Sequence, residues 1–391
     1  MTEAAEPFRL AIPDAELDDL RARLRQTRWP DQIPGTAWES GTDIDYLREL
    51  CSYWATEFDW RKVEARLNAW PQFRTVIDGQ RVHYIHARSR HEDASPLVLL
   101  HGWPGSVLEF LGILGPLTDP TAHGGRHEDA FHVVCVSLPG FTFSGPTTEP
   151  GWHCERMASA VLALMNELGY QRFGAQGGDW GSVVASCMAA RSPASIVGLH
   201  INFVLNSGPH AEDGELTTHE RELVRELEDH LATGTGYQAI QKTKPQTLTY
   251  GLTDSPAGLA GWIVEKYHGW TDCDGDIESV VNRDDMLGNI TAYWFTRTAG
   301  SSARIYYETE RAGLMDAPAG GVDVPTGCAV FPRELYRPSR RWAEHHYRDI
   351  RRWTEFPKGG HFAAMEQPEG LVNDIRAFFG SLRGASRAEV T

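Results

Sequence analysis

The 391-residue sequence has no long apolar run, no cluster of lysine and arginine, and only six cysteines. Each shortage excludes something. Without about 18 or more consecutive apolar residues there is no candidate membrane helix, so no membrane partner is expected. The start Met1-Thr-Glu-Ala-Ala-Glu-Pro7 is acidic and carries no signal peptide pattern, so a cytoplasmic protein is expected. A net charge of −16 with no basic patch argues against nucleic-acid phosphates or an anionic bilayer as partners. The cysteines at 51, 135, 154, 187, 273 and 328 show neither metal-ligand spacing nor the density of a disulfide framework, which fits a reducing compartment. Internal repeats and low-complexity segments are also missing. What remains is 41% apolar residues, enough for a large core, in one enlarged α/β unit.

One stretch organises that unit. Gly177-Gly178-Asp179-Trp180-Gly181 follows the small apolar run Phe173 to Gln176 and precedes a helical run from Ser182 to Arg191. The pattern predicts strand, sharp turn, helix, with glycines where side chains would not fit. It has the form of a Gly-x-Ser-x-Gly nucleophile elbow, which lifts a serine above a sheet, but here the lifted residue is Asp179. Ser182 lacks the flanking spacing to replace it. A carboxylate nucleophile attacks saturated carbon and leaves an alkyl-enzyme ester. A solvated Gly/Asp β-turn is the plain alternative for this stretch by itself.

Residues 1–70 read as a tryptophan-rich helical meander, with Leu17, Leu20 and Leu24 on one face and a second run from about Asp43. Its aromatics are expected to pack on the main domain. Phe73 to His86 forms two alternating runs around Asp78-Gly79, a hairpin signal. Pro96 to Leu100, Val133 to Ser137 and Ile196 to Phe203 read as strands alternating with helices, so residues 71–204 are the first half of a mostly parallel sheet. Residues 205–320 turn helical and read as an inserted lid. Residues 321–391 resume the core with strands at Pro325 to Phe331 and near Arg351 to Phe356, then a final helix from about Pro368.

An elbow aspartate needs a base to activate water. His361 in Gly359-Gly360-His361-Phe362 follows the last strand, where a turn can aim an imidazole at the sheet edge. An acid must hold its other nitrogen. Glu334 directly follows a strand of the second half, whereas Asp323 precedes that strand and the strand ending near Phe203 offers no acid before Glu212. Backbone N–H groups near Trp103 and Trp180 could form an oxyanion hole, and His101, Trp103 and Trp180 are expected around the substrate pocket. Ring opening also needs a proton donor. Tyr237, Tyr250, Tyr267, Tyr293, Tyr306 and Tyr307 are candidates among which residue pattern does not choose. His123-x-x-x-His127 and His345-His346 have only loose metal-like spacing, so no metal and no cofactor is expected.

His101-Gly-Trp-Pro-Gly-Ser106, the elbow, Asp254-Ser-Pro-Ala-Gly-Leu259 and Gly359-Gly-His-Phe-Ala-Ala364 together resemble the microsomal-type epoxide hydrolases, which include the juvenile-hormone epoxide hydrolases. The resemblance covers nearly the whole chain. It implies the α/β-hydrolase fold, with an inserted helical lid and the N-terminal meander. It also implies hydrolysis of an apolar epoxide to a vicinal diol by Asp179, by His361 with Glu334 as orienting acid, and by two lid tyrosines. Tyr237 in Gly-Tyr-x-x-Ile-Gln-x-Thr-Lys-Pro and Tyr306 in Ser-Ser-x-Arg-x-Tyr match those tyrosines, with Tyr307 a neighbouring register. The animal enzymes' membrane anchor has no counterpart in this sequence. A homodimer is compatible with the resemblance, as are detoxification and secondary metabolism. Two other readings stay open: a haloalkane or haloacid dehalogenase using the same aspartate, and a non-catalytic small-molecule binding relative.

Overall fold

The computed structural model describes residues 5–205, 208–315 and 320–388. Nine strands form one sheet: β1 (Glu6–Phe8), β2 (Gln72–Ile77), β3 (Gln80–Ala87), β4 (Ser95–Leu100), β5 (Phe131–Ser137), β6 (Phe173–Gly177), β7 (Ile196–Ile201), β8 (Thr326–Val330) and β9 (Ile350–Glu355). Their spatial order is β1-β2-β3-β5-β4-β6-β7-β8-β9. The first three strands and the β3–β5 pair are antiparallel, and from β5 to β9 every neighbour is parallel. The parallel strands are apolar on both faces because helices cover both, and Leu97 to Leu100 are fully buried. Asp78-Gly79 makes the β2–β3 turn, with both residues at positive φ.

Between β7 and β8 lies a helical insert, with helices at Thr218–Thr233, Gly236–Thr243, Pro245–Asp254, Pro256–Trp270, Arg283–Thr296 and Ala299–Arg311. Helix Arg283–Thr296 grips the turn after β4: Tyr293 donates to Gly105 O at 2.8 Å, and Asn289 to Pro104 O at 2.7 Å.

The meander's aromatics were expected to pack on the main domain, and buried ones such as Trp54 and Trp60 share its core. Many of them reach the insert. Trp38 stacks on His268 at 3.9 Å, Trp60 meets Phe295 edge-on at 5.4 Å, and the Tyr53 hydroxyl donates to Asp284 at 2.8 Å. The N-terminal helices Asp14–Arg25, Ile44–Thr56 and Trp60–Asn68 thus pack on the insert's helices Pro256–Trp270 and Arg283–Thr296 and share one core with the sheet. Strand β1 was not foreseen. Three residues are too few to show a period, and pairing with β2 is what makes them a strand. The six cysteines are buried thiols. Among the described residues no helix is long and apolar enough to cross a membrane.

Candidate active site

The carboxyl ends of β4, β6, β8 and β9 converge above the sheet. Strand β6 ends at Gly177, and Asp179 caps the helix Trp180–Arg191. Asp179 has φ 48° and ψ −129°, a conformation that costs a non-glycine residue on the order of 1–3 kcal/mol. Its glycine neighbours permit the turn. A Cβ on Gly177 would lie 2.3 Å from the backbone of Gly181, and one on Gly181 would lie 1.9 Å from Leu100 O. Across the site, a Cβ on Gly102 would lie 2.0 Å from Asp179 Oδ1. The tight turn after β4 therefore admits the carboxylate only because Gly102 has no side chain.

The backbone receives that charge. Trp103 N–H donates to Asp179 Oδ1 at 2.6 Å. The N–H of Trp180, the first helical residue, has no intrahelical acceptor, and the helix N-terminus favours a negative group beside it. The other oxygen, Oδ2, lies 3.5 Å from His361 Nε2. The opposite ring nitrogen, Nδ1, is 2.5 Å from Glu334 Oε1. The His361 loop is held in place, since its N–H donates to Trp270 O at 2.8 Å. Burial disfavours charge on His361, but Glu334 and Asp179 flank the ring and together hold its pKa well above the ordinary value.

Two cavities meet at Asp179. One, of about 170 Å³, is bordered by Asp179, Trp180, Tyr237 and Tyr306, with a mainly apolar remainder that includes Phe203, Leu231 and Met315. The other, of about 20 Å³, is bordered by Asp179, His361, Glu109, Asn202 and the turn after β4. Of the bordering residues only Asp179 is common to both.

Six tyrosines were candidates, and the geometry separates them. Tyr237 and Tyr306 border the larger cavity, with ring centroids 5.9 Å apart, and Tyr237 stacks on Trp103 at 5.2 Å. Burial above all, reinforced by Asp179's charge, raises the pKa of both, so they stay protonated. Tyr293 is committed to Gly105, and Tyr267 stacks on Phe362 at 4.4 Å. Tyr250 is 71% exposed, and Tyr307 accepts from Arg311 near the surface.

His101 is a correction. It was expected at the substrate pocket, yet it borders neither cavity. Its ring is fully buried behind the turn, with Nδ1 on Gly102 O at 3.0 Å and Nε2 accepting Leu138 N–H at 3.2 Å. Proximity in sequence to a functional turn does not say on which side of the turn a ring falls. Trp103 borders the smaller cavity and Trp180 the larger. His345 lies near His210 and Glu212, but its Nε2 pairs with Asp213 at 2.8 Å and its ring stacks on His210, away from Asp179's cavities.

Sequence reasoning missed Glu109, Asn202, His230 and Tyr336, all of which border a cavity. Glu109 carried a usable signal, being a charged residue in an otherwise apolar segment directly after the turn of β4. Glu366 was also missed. It accepts the N–H groups of Asp272 at 2.8 Å and Phe362 at 3.0 Å, and so ties the His361 loop to the insert.

Comparison with known proteins extends these observations. Residues 5–110 match the family described as epoxide hydrolase N terminus, and residues 95–212 match the alpha/beta hydrolase fold. Epoxide hydrolase 1 of Sus scrofa is 37% identical over 97% of this chain and 89% of its own length. The juvenile hormone epoxide hydrolase of the silkworm Bombyx mori superposes with a TM-score of 0.90 at 29% identity, covering 98% of this chain and 96% of that one. The epoxide hydrolase of Aspergillus niger superposes with a TM-score of 0.84 at 32% identity, covering 97% of each chain.

Proposed function

The chain belongs to the epoxide hydrolase family and is an epoxide hydrolase of α/β-hydrolase fold; from that premise we propose that it works through a covalent ester on Asp179, with ring opening and hydrolysis served by separate cavities. The observation that carries this reading is that the two cavities share only Asp179 among their bordering residues. The tyrosines stand on one side and His361 on the other.

In the first step Asp179 Oδ2 attacks a ring carbon of an apolar epoxide in the larger cavity, and the carbon–oxygen bond of the ring breaks. The departing alkoxide takes hydrogen bonds from Tyr237 and Tyr306 and gains a proton there, which solvent restores. The insert acts as the lid that supplies both donors. In the second step water attacks Asp179 Cγ. Its proton goes to His361 Nε2, and Glu334 stabilises the imidazolium. Negative charge gathers on Oδ1, which already accepts the Trp103 N–H, with the Trp180 N–H as second donor. Collapse breaks the bond between Cγ and the alkyl oxygen, His361 returns a proton to that oxygen, and the diol leaves. The Asp179 carboxyl then releases the water's second proton to solvent, which balances the one the tyrosines regained. Esterification also removes one of the two carboxylates that raise the His361 pKa. The neutral base is thereby favoured at the step that uses it.

The test is one turnover in ¹⁸O water with enzyme in excess. The label should enter the peptide carrying Asp179, while the first diol released stays unlabelled at its new oxygen. A labelled diol and an unlabelled peptide would mean direct attack by water and would remove the covalent step.

A further inference from the structure

Glu109 is a half-buried carboxyl group beside the reaction centre for which the two-step scheme has no use. Among the described residues it makes no protein hydrogen bond or ion pair, which leaves its oxygens open to the cavity it borders. Its side chain folds back over the turn after β4, with Oε2 2.8 Å from where a Cβ on Gly105 would stand. It borders the 20 Å³ cavity together with Asp179 and His361. That volume suits one water molecule, which needs polar partners to reside there.

Four side chains around this cavity can accept a hydrogen bond: Asp179, His361, Asn202 and Glu109. Asp179 carries the carbon under attack, and His361 is the base. Asn202 Oδ1 already accepts from Gln176 Nε2 at 2.9 Å. Glu109 is the acceptor that remains. A water giving one hydrogen to His361 Nε2 and the other to Glu109 has its lone pairs left to face Asp179 Cγ.

We propose that Glu109 is a positioning residue for the hydrolytic water, its carboxyl oxygen accepting the hydrogen that His361 does not take. The inference rests on the covalent-ester reading above. It holds in either protonation state, because a carboxylic acid keeps a carbonyl acceptor. Burial, aided by Asp179 and opposed by His361, pushes the Glu109 carboxyl up to about 8, which spares the site a second unpaired negative charge beside Asp179.

The experiment follows both phases of a single turnover in Glu109→Leu, Glu109→Gln and Glu109→Asp. Formation and decay of the alkyl-enzyme are read by quenched-flow mass spectrometry. Glu109→Leu keeps the bulk and loses the acceptor. Decay should slow about ten- to a hundredfold, as expected for a misoriented reactant, while formation serves as the control for folding. In steady state kcat and KM should fall together, leaving kcat/KM nearly constant. Glu109→Gln restores an acceptor and should decay several-fold faster than Glu109→Leu. Should the leucine variant fail to fold, Glu109→Asp, with its carboxyl withdrawn by one methylene, should show the same selective slowing of decay. Decay at the wild-type rate in the leucine or aspartate variant, or a glutamine variant as slow as leucine, overturns the role of Glu109. Absence of any alkyl-enzyme in His361→Gln would instead overturn the covalent reading itself.

Discussion

Among the described residues, two buried histidine–carboxylate pairs lie about the same sheet, and they differ in what surrounds them. His361 Nδ1 meets Glu334 at 2.5 Å, and the ring's other nitrogen faces Asp179 at 3.5 Å across a cavity. His200 Nε2 meets Asp374 at 3.0 Å, with both side chains sealed from solvent. Asp374 is further held by Arg352 at 2.7 Å and Thr354 at 2.7 Å, and this joins the final helix to β7 and β9. The chemical groups are the same. Around Asp374 every strong partner is fixed and belongs to the fold. Each histidine keeps one nitrogen outside its carboxylate pair, but His200 Nδ1 is buried without a partner and His200 borders neither cavity at Asp179, whereas His361 borders the smaller one. A buried pair becomes a candidate for catalysis when its geometry leaves something to move.

The largest expected contrast lies between the two histidines. His361→Gln should abolish turnover yet still form the alkyl-enzyme, because alkylation does not need the base. A mass increase equal to the substrate should persist for hours. His200→Gln should leave kcat within about twofold and lower stability by about 1–3 kcal/mol through the lost charged hydrogen bond. Loss of turnover in both proteins, with no trapped ester in either, would erase the distinction.

The tyrosines carry the next largest effect. Tyr237→Phe and Tyr306→Phe should each slow the alkylation phase about ten- to a thousandfold, by analogy with removing one oxyanion donor. The double variant should lose nearly all ring opening. Tyr307→Phe should change alkylation little, since its hydroxyl serves Arg311 near the surface. Damage from Tyr307→Phe with a silent Tyr306→Phe would shift the second donor by one residue.

Which parts of this contrast were legible in the sequence follows from how local each signal is. The central strands were readable because a strand buried on both faces is a continuous apolar run, as Leu97 to Leu100 are. The elbow was readable because close backbone approach at Gly177 and Gly181 admits no side chain. Glu334 and His361 could be nominated because residues just past parallel strands stand at the sheet's active edge. Choice among six tyrosines was not available from residue pattern, since it depends on how the insert's helices fold back over Asp179; only the family resemblance singled out two. His200–Asp374 was invisible for the same reason: its partners lie 174 residues apart and neither sits in a motif. His101 was misplaced because it lies in the right turn but on its buried side.

Exchanging the two carboxylates sharpens the comparison further. Glu334→Gln keeps the size of the side chain but removes the charge that supports the imidazolium. Decay of the alkyl-enzyme should slow about ten- to a hundredfold with alkylation less affected, the smaller loss expected of an orienting group. Asp374→Asn should leave both phases near wild type and lower the melting temperature instead. An Asp374→Asn protein with normal stability and slow decay would place the second pair in the chemistry.

The smallest effect on activity, and the clearest on the fold, concerns acid. Burial opposes ionisation of Asp374, but His200, Arg352 and Thr354 outweigh it and hold its pKa down to about 2. In the unfolded chain an aspartate titrates near 3.9. A carboxyl depressed on folding stabilises the native state above its unfolded pKa, and that stabilisation fades as pH falls from about 5 through 2. The shift corresponds to stability on the order of 2 kcal/mol. His361 has the opposite sign. Its raised pKa contributes stability that is complete below about 6.5, where unfolded histidine is protonated, and that is lost as pH rises through the folded value. Urea unfolding from pH 6 to pH 3 should therefore show a decline in wild type that is shallower in Asp374→Asn, which starts lower and has less to lose. His361→Gln should leave the acid-side slope alone and flatten the alkaline side. Parallel acid limbs for wild type and Asp374→Asn would show that Asp374 is not the group whose protonation loosens the sheet from its final helix.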